Sequence, residues 1–360
     1  MRIWCGVGRE KVSILILLGV AAVLPYCVGE YSLHVAIYTT WFIYLCLAWN
    51  ISAMTGMICM AHTCFLGVGA YLPALLFIKL GISPWVGMGV GMLGAGFLAV
   101  IISYLPFRLG MPPLGFVNFT LACVFIAYHM TVGSDLLGRD WGLQLFFRDE
   151  NSLNLQWLSK EPYYYLLVGM TICVGAINRM ILESKLGLFF RAIKENERVA
   201  AAAGIDVVRY KLIAIILSAA LIAPAGILWG MYSRLVDPES LLAVHLPIKI
   251  TLYTVIGGMG TFWGPIVGAV ILAPLTEIIR GIMGARYAGG DLVVIGAAIV
   301  LFLMMARGGI VDWLSLARRK WGNIRVDLDN TQGRPPEVAY LPVSFSEKAV
   351  VPKGSKPHRR

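Results

Sequence analysis

Leu212-Ile-Ala-Ile-Ile-Leu-Ser-Ala-Ala-Leu-Ile-Ala-Pro-Ala-Gly-Ile-Leu-Trp-Gly-Met-Tyr-Ser233 runs for 22 residues without an Asp, Glu, Lys or Arg. About 20 such residues, each rising about 1.5 Å along a helix, cross a hydrocarbon core roughly 30 Å thick. The stretch reads as a membrane-spanning helix. Residues 31–78, 80–107, 109–134 and 250–276 are equally free of the four charged types. Of the 360 residues, 58% are apolar and 14% charged, against roughly 25% charged in soluble domains. This composition excludes a cytosolic enzyme, a disordered chain and a disulfide scaffold. It also excludes an outer-membrane barrel, in which polar and apolar positions alternate.

What remains is an all-α, polytopic transmembrane helical bundle of about 8–10 spans. Candidate spans lie near 12–29, 33–53, 62–80, 84–107, 113–133, 163–181, 212–232, 246–258, 264–279 and 292–306. Ten crossings put both termini on one side. Val12–Gly29 follows Arg2, Arg9 and Lys11 and has no obvious cleavage site after it, so it reads as a retained first span rather than a signal peptide. Arg179, Lys185, Arg191, Lys194, Arg198, Arg209 and Lys211 crowd one connecting segment, and Arg318, Arg319 and Lys320 follow the last span. Lys and Arg accumulate in cytoplasmic loops, which places this segment and both termini in the cytoplasm and the more acidic loop 134–161 outside. The net charge of +10 would suggest nucleic acid in a soluble protein. Here it reports orientation, and no nucleic-acid partner is expected. Residues 1–320 read as the membrane domain and 321–360 as a disordered basic tail. The seven cysteines are odd in number, never spaced Cys-x-x-Cys, and read as buried thiols.

One uncharged run carries an interruption, Ile256-Gly-Gly-Met-Gly-Thr-Phe-Trp-Gly-Pro265. Inside a helix, Gly costs about 1 kcal/mol and Pro about 3 relative to Ala. A broken or re-entrant element near 256–265 is therefore expected, and such breaks often line transport sites. A fainter break runs from Thr55 to Ala70. Gly56–Ala70 and Gly258–Ala269 share a glycine, a following Phe and a Gly-x-x-Gly-like close, from either an internal repeat or the general glycine enrichment of membrane helices.

The chain lacks a Gly-x-x-x-x-Gly-Lys-[Ser/Thr] phosphate loop, a metal-binding histidine spacing and a Gly-x-Ser-x-Gly elbow, so nothing in it argues for catalysis. Polar residues in or near the spans are few: Asn50, His62, Asn118, His129, Lys249 and Glu277. Lys249 fits either an anionic substrate group or a side chain reaching for the interface. Glu277 and Arg280, three residues apart, suit a local ion pair. A secondary transporter would need an intramembrane carboxylate for proton or sodium coupling, and Glu277 is the one candidate.

The segment Leu186–Asp206 is amphipathic. Leu188, Phe189, Ala192, Ile193, Ala200 and Ala203 can share one helical face, with Arg191, Lys194, Glu195, Glu197 and Arg198 on much of the remainder. Gly204 supplies a stop. Such a helix suits docking of a soluble partner or lying on lipid.

Arg191-Ala-Ile-Lys-Glu-Asn-Glu-Arg-Val-Ala-Ala-Ala-Ala-Gly-Ile-Asp-Val-Val-Arg-Tyr-Lys-Leu212 resembles the permease subunits of branched-chain amino acid ABC transporters, the LivM-like group. Leu217-Ser-Ala-Ala220, Ala225-Gly226, Pro238-Glu-Ser240 and the 256–269 run continue the likeness in order, and Thr55-Gly56, Ala61-His62, Phe65 and Gly67–Tyr71 resemble its early segment. The resemblance implies a multi-pass subunit of the bacterial inner membrane, embedded in lipid, importing branched-chain or related small amino acids. Its partners would be a second permease, two cytoplasmic ATP-binding subunits and an extracytoplasmic substrate-binding protein. The chain itself would be non-catalytic and hold no cofactor, with ATP bound by the partners. Residues 183–211 would form the coupling loop, with Glu195, Asn196, Glu197, Arg198 and Gly204 as coupling positions. Gly56, His62, Gly67, Gly69, Lys249, Gly257, Gly258, Gly260 and Gly264 would line the substrate path. The chain departs from the family pattern at Thr55-Gly-Met-Ile-Cys-Met-Ala-His62, where a Gln, a Ser and a Gly are usual. A urea or short-amide permease of the same group is the alternative.

Overall fold

The structure, a computed structural model, describes residues 29–147 and 150–283, together with Pro25 and Gly296. The first and last expected spans lie almost wholly outside these residues, and the basic tail lies wholly outside them. Among the described residues, eight helical segments are long and apolar enough to cross a membrane. They are α1 (Glu30–Ala53), α2 (His62–Leu80), α3 (Pro84–Arg108), α4 (Pro113–Val132), α5 (Glu161–Glu183), α8 (Val207–Ser233), α9 with α10 (Pro238–Leu241 and His245–Gly258) and α11 (Trp263–Met283). Between α5 and α8 lie two short surface helices, α6 (Lys185–Glu195) and α7 (Glu197–Ala202). The fold is a polytopic helical bundle.

The spans alternate in direction. One end, here the basic end, gathers the links 54–61 and 109–112, the α6–α7 segment and the turn 259–262. Lys194 meets Met259 there, and Lys211 lies over the Phe107 ring. The far end gathers the loop 133–160, where Trp85 Nε1 donates to Ser152 O at 3.1 Å. A two-stranded antiparallel pair there joins β1 (Leu143–Gln144) to β2 (Leu235–Val236), in register Leu143 with Val236 and Gln144 with Leu235. α8 begins five residues before the uncharged run because Asp206 caps it, its carboxylate accepting from Arg209 N at 3.0 Å. The turn so added carries Arg209 and Lys211 beyond the apolar run.

α1 is the axis of the bundle, packed against α5, α8, α10 and α11. It is apolar on nearly every side, as a helix surrounded by others must be. In lipid no hydrophobic force pulls helices together, so close packing and interhelical hydrogen bonds decide their arrangement. α1 supplies or receives many of these bonds. Trp41 Nε1 donates to Ala225 O at 3.0 Å, Tyr44 OH to Leu221 O at 2.7 Å, Asn178 Nδ2 to Leu47 O at 2.8 Å and Ser218 Oγ to Ala48 O at 2.7 Å. Carbonyls already bonded within a helix have a second lone pair, and polar side chains of neighbouring helices use it.

Glycines supply the close packing. A Cβ at Gly69 would overlap the Ala223 carbonyl, and one at Gly226 the Leu66 carbonyl, so α2 and α8 touch backbone to backbone. α10 and α11 do the same through Gly257, Gly264 and Gly268. The interruption expected near 256–265 is the turn Met259–Phe262, which ends α10 at the basic end and sends α11 back. The fainter break is the non-helical link 54–61, most of it buried.

Gly268→Val should pry α10 from α11 and cost about 1–3 kcal/mol, as overpacking generally does. Gly89, exposed and with open space around it, is the control. Thermal unfolding of purified protein in detergent should show a clear drop for Gly268→Val and little change for Gly89→Val; equal behaviour would refute the packing account.

Candidate functional site

The basic end carries the residues expected to couple to partners. The single amphipathic helix expected over Leu186–Ala203 is instead two helices meeting at Asn196. The Asn196 Oδ1 accepts from Arg198 N at 3.0 Å and Val199 N at 3.2 Å, capping α7. Asn is a strong N-cap because its side chain replaces the missing intrahelical partner, and the same bonds end α6. Gly204, at φ +85°, closes α7 in the left-handed conformation that glycine adopts freely.

The break changes which face is inward. Gly187, Phe190 and Ile193 are the buried residues of α6, and Phe190 packs with Ile51, Met54, Ile181 and Ala214. Leu188, expected on the inner face, is 66% exposed, and Val199 is 64% exposed. Ala203 is exposed as well. The α6–α7 platform thus presents two apolar side chains among Lys185, Arg191, Glu195 and Arg198, all exposed. A groove beside it is lined by Leu182, Glu183, Ser184, Lys185, Leu188 and Arg191.

Two contacts tie the platform to the spans. Glu197 ion-pairs with Lys211 of α8, whose Nζ also lies 5.7 Å from the centre of the Phe107 ring in α3. Glu197 therefore acts within the chain, while Glu195 and Arg198 face outward. The second contact involves Lys194, which sequence reasoning placed only on the polar face. Its Nζ donates to Met259 O at 3.2 Å. A Cβ on Gly56 would lie 3.3 Å from Lys194 Cα, and one on Gly260 would lie 3.0 Å from Nζ. Gly56 and Gly260 have nearly the same left-handed φ, +82° and +81°. Asn50, fully buried, holds the turn from the opposite side: its Oδ1 accepts from Gly260 N at 2.8 Å and its Nδ2 donates to Thr261 O at 2.9 Å. The only sequence signal for this knot was the pair of glycine-rich breaks; the contacts across 65 and 210 residues leave no local pattern.

The residues expected along a substrate path are dispersed through the bundle. His62 is fully buried, Nε2 2.6 Å from Ser218 Oγ and Nδ1 3.1 Å from Cys59 O, bonds that join α2 to α8 and to the 54–61 link. Gly67 faces Leu242, Gly69 faces Ala223, and Gly257 and Gly264 meet across the α10–α11 contact, with buried Gly258 beside them. In this conformation these positions are filled by neighbouring helices. Lys249 is buried in α10, 9% exposed. Glu277 Oε1 lies 3.5 Å from Nε2 of His34 in α1, and Arg280, three residues on, also acts on it electrostatically. His34 Nδ1 in turn lies 2.6 Å from Tyr232 OH.

A family model described as the branched-chain amino acid transport system, permease component, matches residues 31–314. The high-affinity branched-chain amino acid transport system permease protein LivM of Salmonella typhimurium is 25% identical over 334 residues, covering 84% of this chain and 75% of the relative. The LivH permease of the same organism is 24% identical, covering 70% of this chain and 85% of its own length. A probable LivH permease of Methanocaldococcus jannaschii is 26% identical over 275 residues, 70% of this chain and 82% of the relative. No solved structure matches the chain. With the match reaching from the first turn of α1 past the end of α11, this chain belongs to the family of branched-chain amino acid transport permease components.

Proposed function

We propose that the chain is a membrane-spanning subunit of an ATP-driven importer for branched-chain or related small amino acids. ATP is bound and hydrolysed by two separate subunits that dock on the α6–α7 platform at the cytoplasmic surface. A second permease completes the pathway, and an extracytoplasmic binding protein delivers substrate to the far end. The observation that carries this reading is the platform itself. It is rooted in the bundle through Phe190, Ile193 and the Glu197–Lys211 pair, yet turns Leu188, Val199, Glu195 and Arg198 outward. Exposed apolar anchors ringed by charges are the composition of a protein-docking patch. The absence of a phosphate loop from the sequence supports an external source of ATP energy. The excess of Lys and Arg at this end supports its cytoplasmic placement.

Within this reading Asn196 and Gly204 shape the platform, while Glu195 and Arg198 contact the ATPase. The substrate path opens when the helices now in contact at Gly67, Gly69, Gly257 and Gly264 part, since backbone contacts without interlocking side chains separate with little steric resistance. His62 and Lys249 would flank that path.

Leu188→Asp and Glu195→Lys should each weaken co-purification of the ATPase subunits about tenfold or more, the ordinary effect of losing an interface anchor, while membrane insertion stays normal. Retained association in both variants would remove the platform assignment. Glu197→Lys should impair uptake, and adding Lys211→Glu should restore it, because that pair is internal to the chain. For the substrate, proteoliposomes containing the full complex should accumulate radiolabelled leucine and not urea. Accumulation of urea alone would make the chain a short-amide permease.

A further inference from the structure

Lys194 lies against two glycine turns of the basic end, those at Gly56 and Gly260. Its Cα and Cγ lie against Gly56, where the chain leaves α1 for α2. Its Nζ lies against Gly260 and donates to Met259 O, where α10 turns into α11. Both glycines take the left-handed conformation, so each turn presents bare backbone to the lysine with no side chain between. From the other side Asn50, at the end of α1, grips the same 260–261 backbone by two hydrogen bonds. The two turns and the last residues of α6 therefore form one knot.

We propose that Lys194 is a positioning residue for transport: it transmits displacement of the α6–α7 platform to the α1–α2 and α10–α11 turns at once. The inference rests on the reading of the chain as an ATP-driven permease. Its physical basis is the difference between the platform's two attachments. The Glu197–Lys211 pair leads to α8 and, through the Phe107 ring, to α3. Lys194 leads to the turns of two helical hairpins, α1–α2 and α10–α11. A partner that tilts the platform would drag α8 by the first attachment and the paired hairpins by the second, which moves the two groups of helices relative to each other. Loss of Lys194 would leave the platform docked and the hairpins behind. The lysine is solvent-exposed and its anchor is a backbone carbonyl, so its removal breaks no buried ion pair.

The test uses the complete transporter in proteoliposomes, with the second permease, both ATPase subunits and the binding protein. Lys194→Met keeps the aliphatic stem against Gly56 and removes the donor; Lys194→Arg keeps donors at similar reach. Leucine uptake and ATP hydrolysis are measured together, with co-purification of the ATPase subunits. For Lys194→Met, the ATPase should co-purify at the wild-type level and hydrolyse ATP, while leucine moved per ATP falls about tenfold, inside the usual range of coupling between sites. Lys194→Arg should restore the ratio. An unchanged ratio in Lys194→Met would overturn the proposal, as would loss of ATPase co-purification, which would make Lys194 a docking contact. A Lys194→Arg ratio as low as that of Lys194→Met would overturn it too. Uptake by the wild-type permeases with the ATPase subunits omitted would instead defeat the underlying reading, whatever the lysine variants do.

Discussion

Side-chain donors that reach across to the carbonyls of neighbouring helices hold this bundle in one arrangement. Lipid offers no partner to a buried N–H or O–H and no net hydrophobic gain when two apolar helices meet. Trp41, Tyr44, Asn178 and Ser218 each find a carbonyl on another helix, and every one of these bonds begins or ends on α1. Glycine contacts add backbone-to-backbone packing between α2 and α8 and between α10 and α11. A shift of α1 by a residue would orphan several donors together, so the axis fixes the positions of the helices around it.

The spans were legible in the sequence because their signal is local: a run of uncharged residues long enough to cross hydrocarbon needs no knowledge of neighbours. All eight described spans coincide with expected ones, their ends displaced by short stretches, as at Asp206, whose cap adds a turn to α8. The glycine-rich interruption was legible for the same reason, since propensity alone disfavours a helix there. The phase of the surface segment was less so. A single helix over 186–203 puts Leu188 inward, but Asn196 bonds its own downstream amides and splits the segment, which leaves Phe190 and Ile193 inside and Leu188 outside. The choice between a capping Asn and a passing Asn is made by energy differences near 1 kcal/mol that tertiary packing easily tips.

The candidate site was legible in outline only. Residues 183–211 stood out by charge and resemblance, yet Glu197 faces a lysine of its own chain, and the attachments of Lys194 and Asn50 are invisible without three dimensions. The glycines expected along a path all sit at contacts or turns. Gly56 and Gly260, two members of that set, owe their place to one lysine that lies against both.

The strand pair at the far end has a consequence for α8. β2 follows α8 directly, and β1 belongs to the loop 133–160, so that loop is stitched to the exit of the same helix whose entrance bears Lys211. Anything that presses on the loop 133–160 and anything that pulls on the α6–α7 platform load opposite tips of one continuous helix about 40 Å long. A push at either tip of α8 is thus relayed along its length to the other.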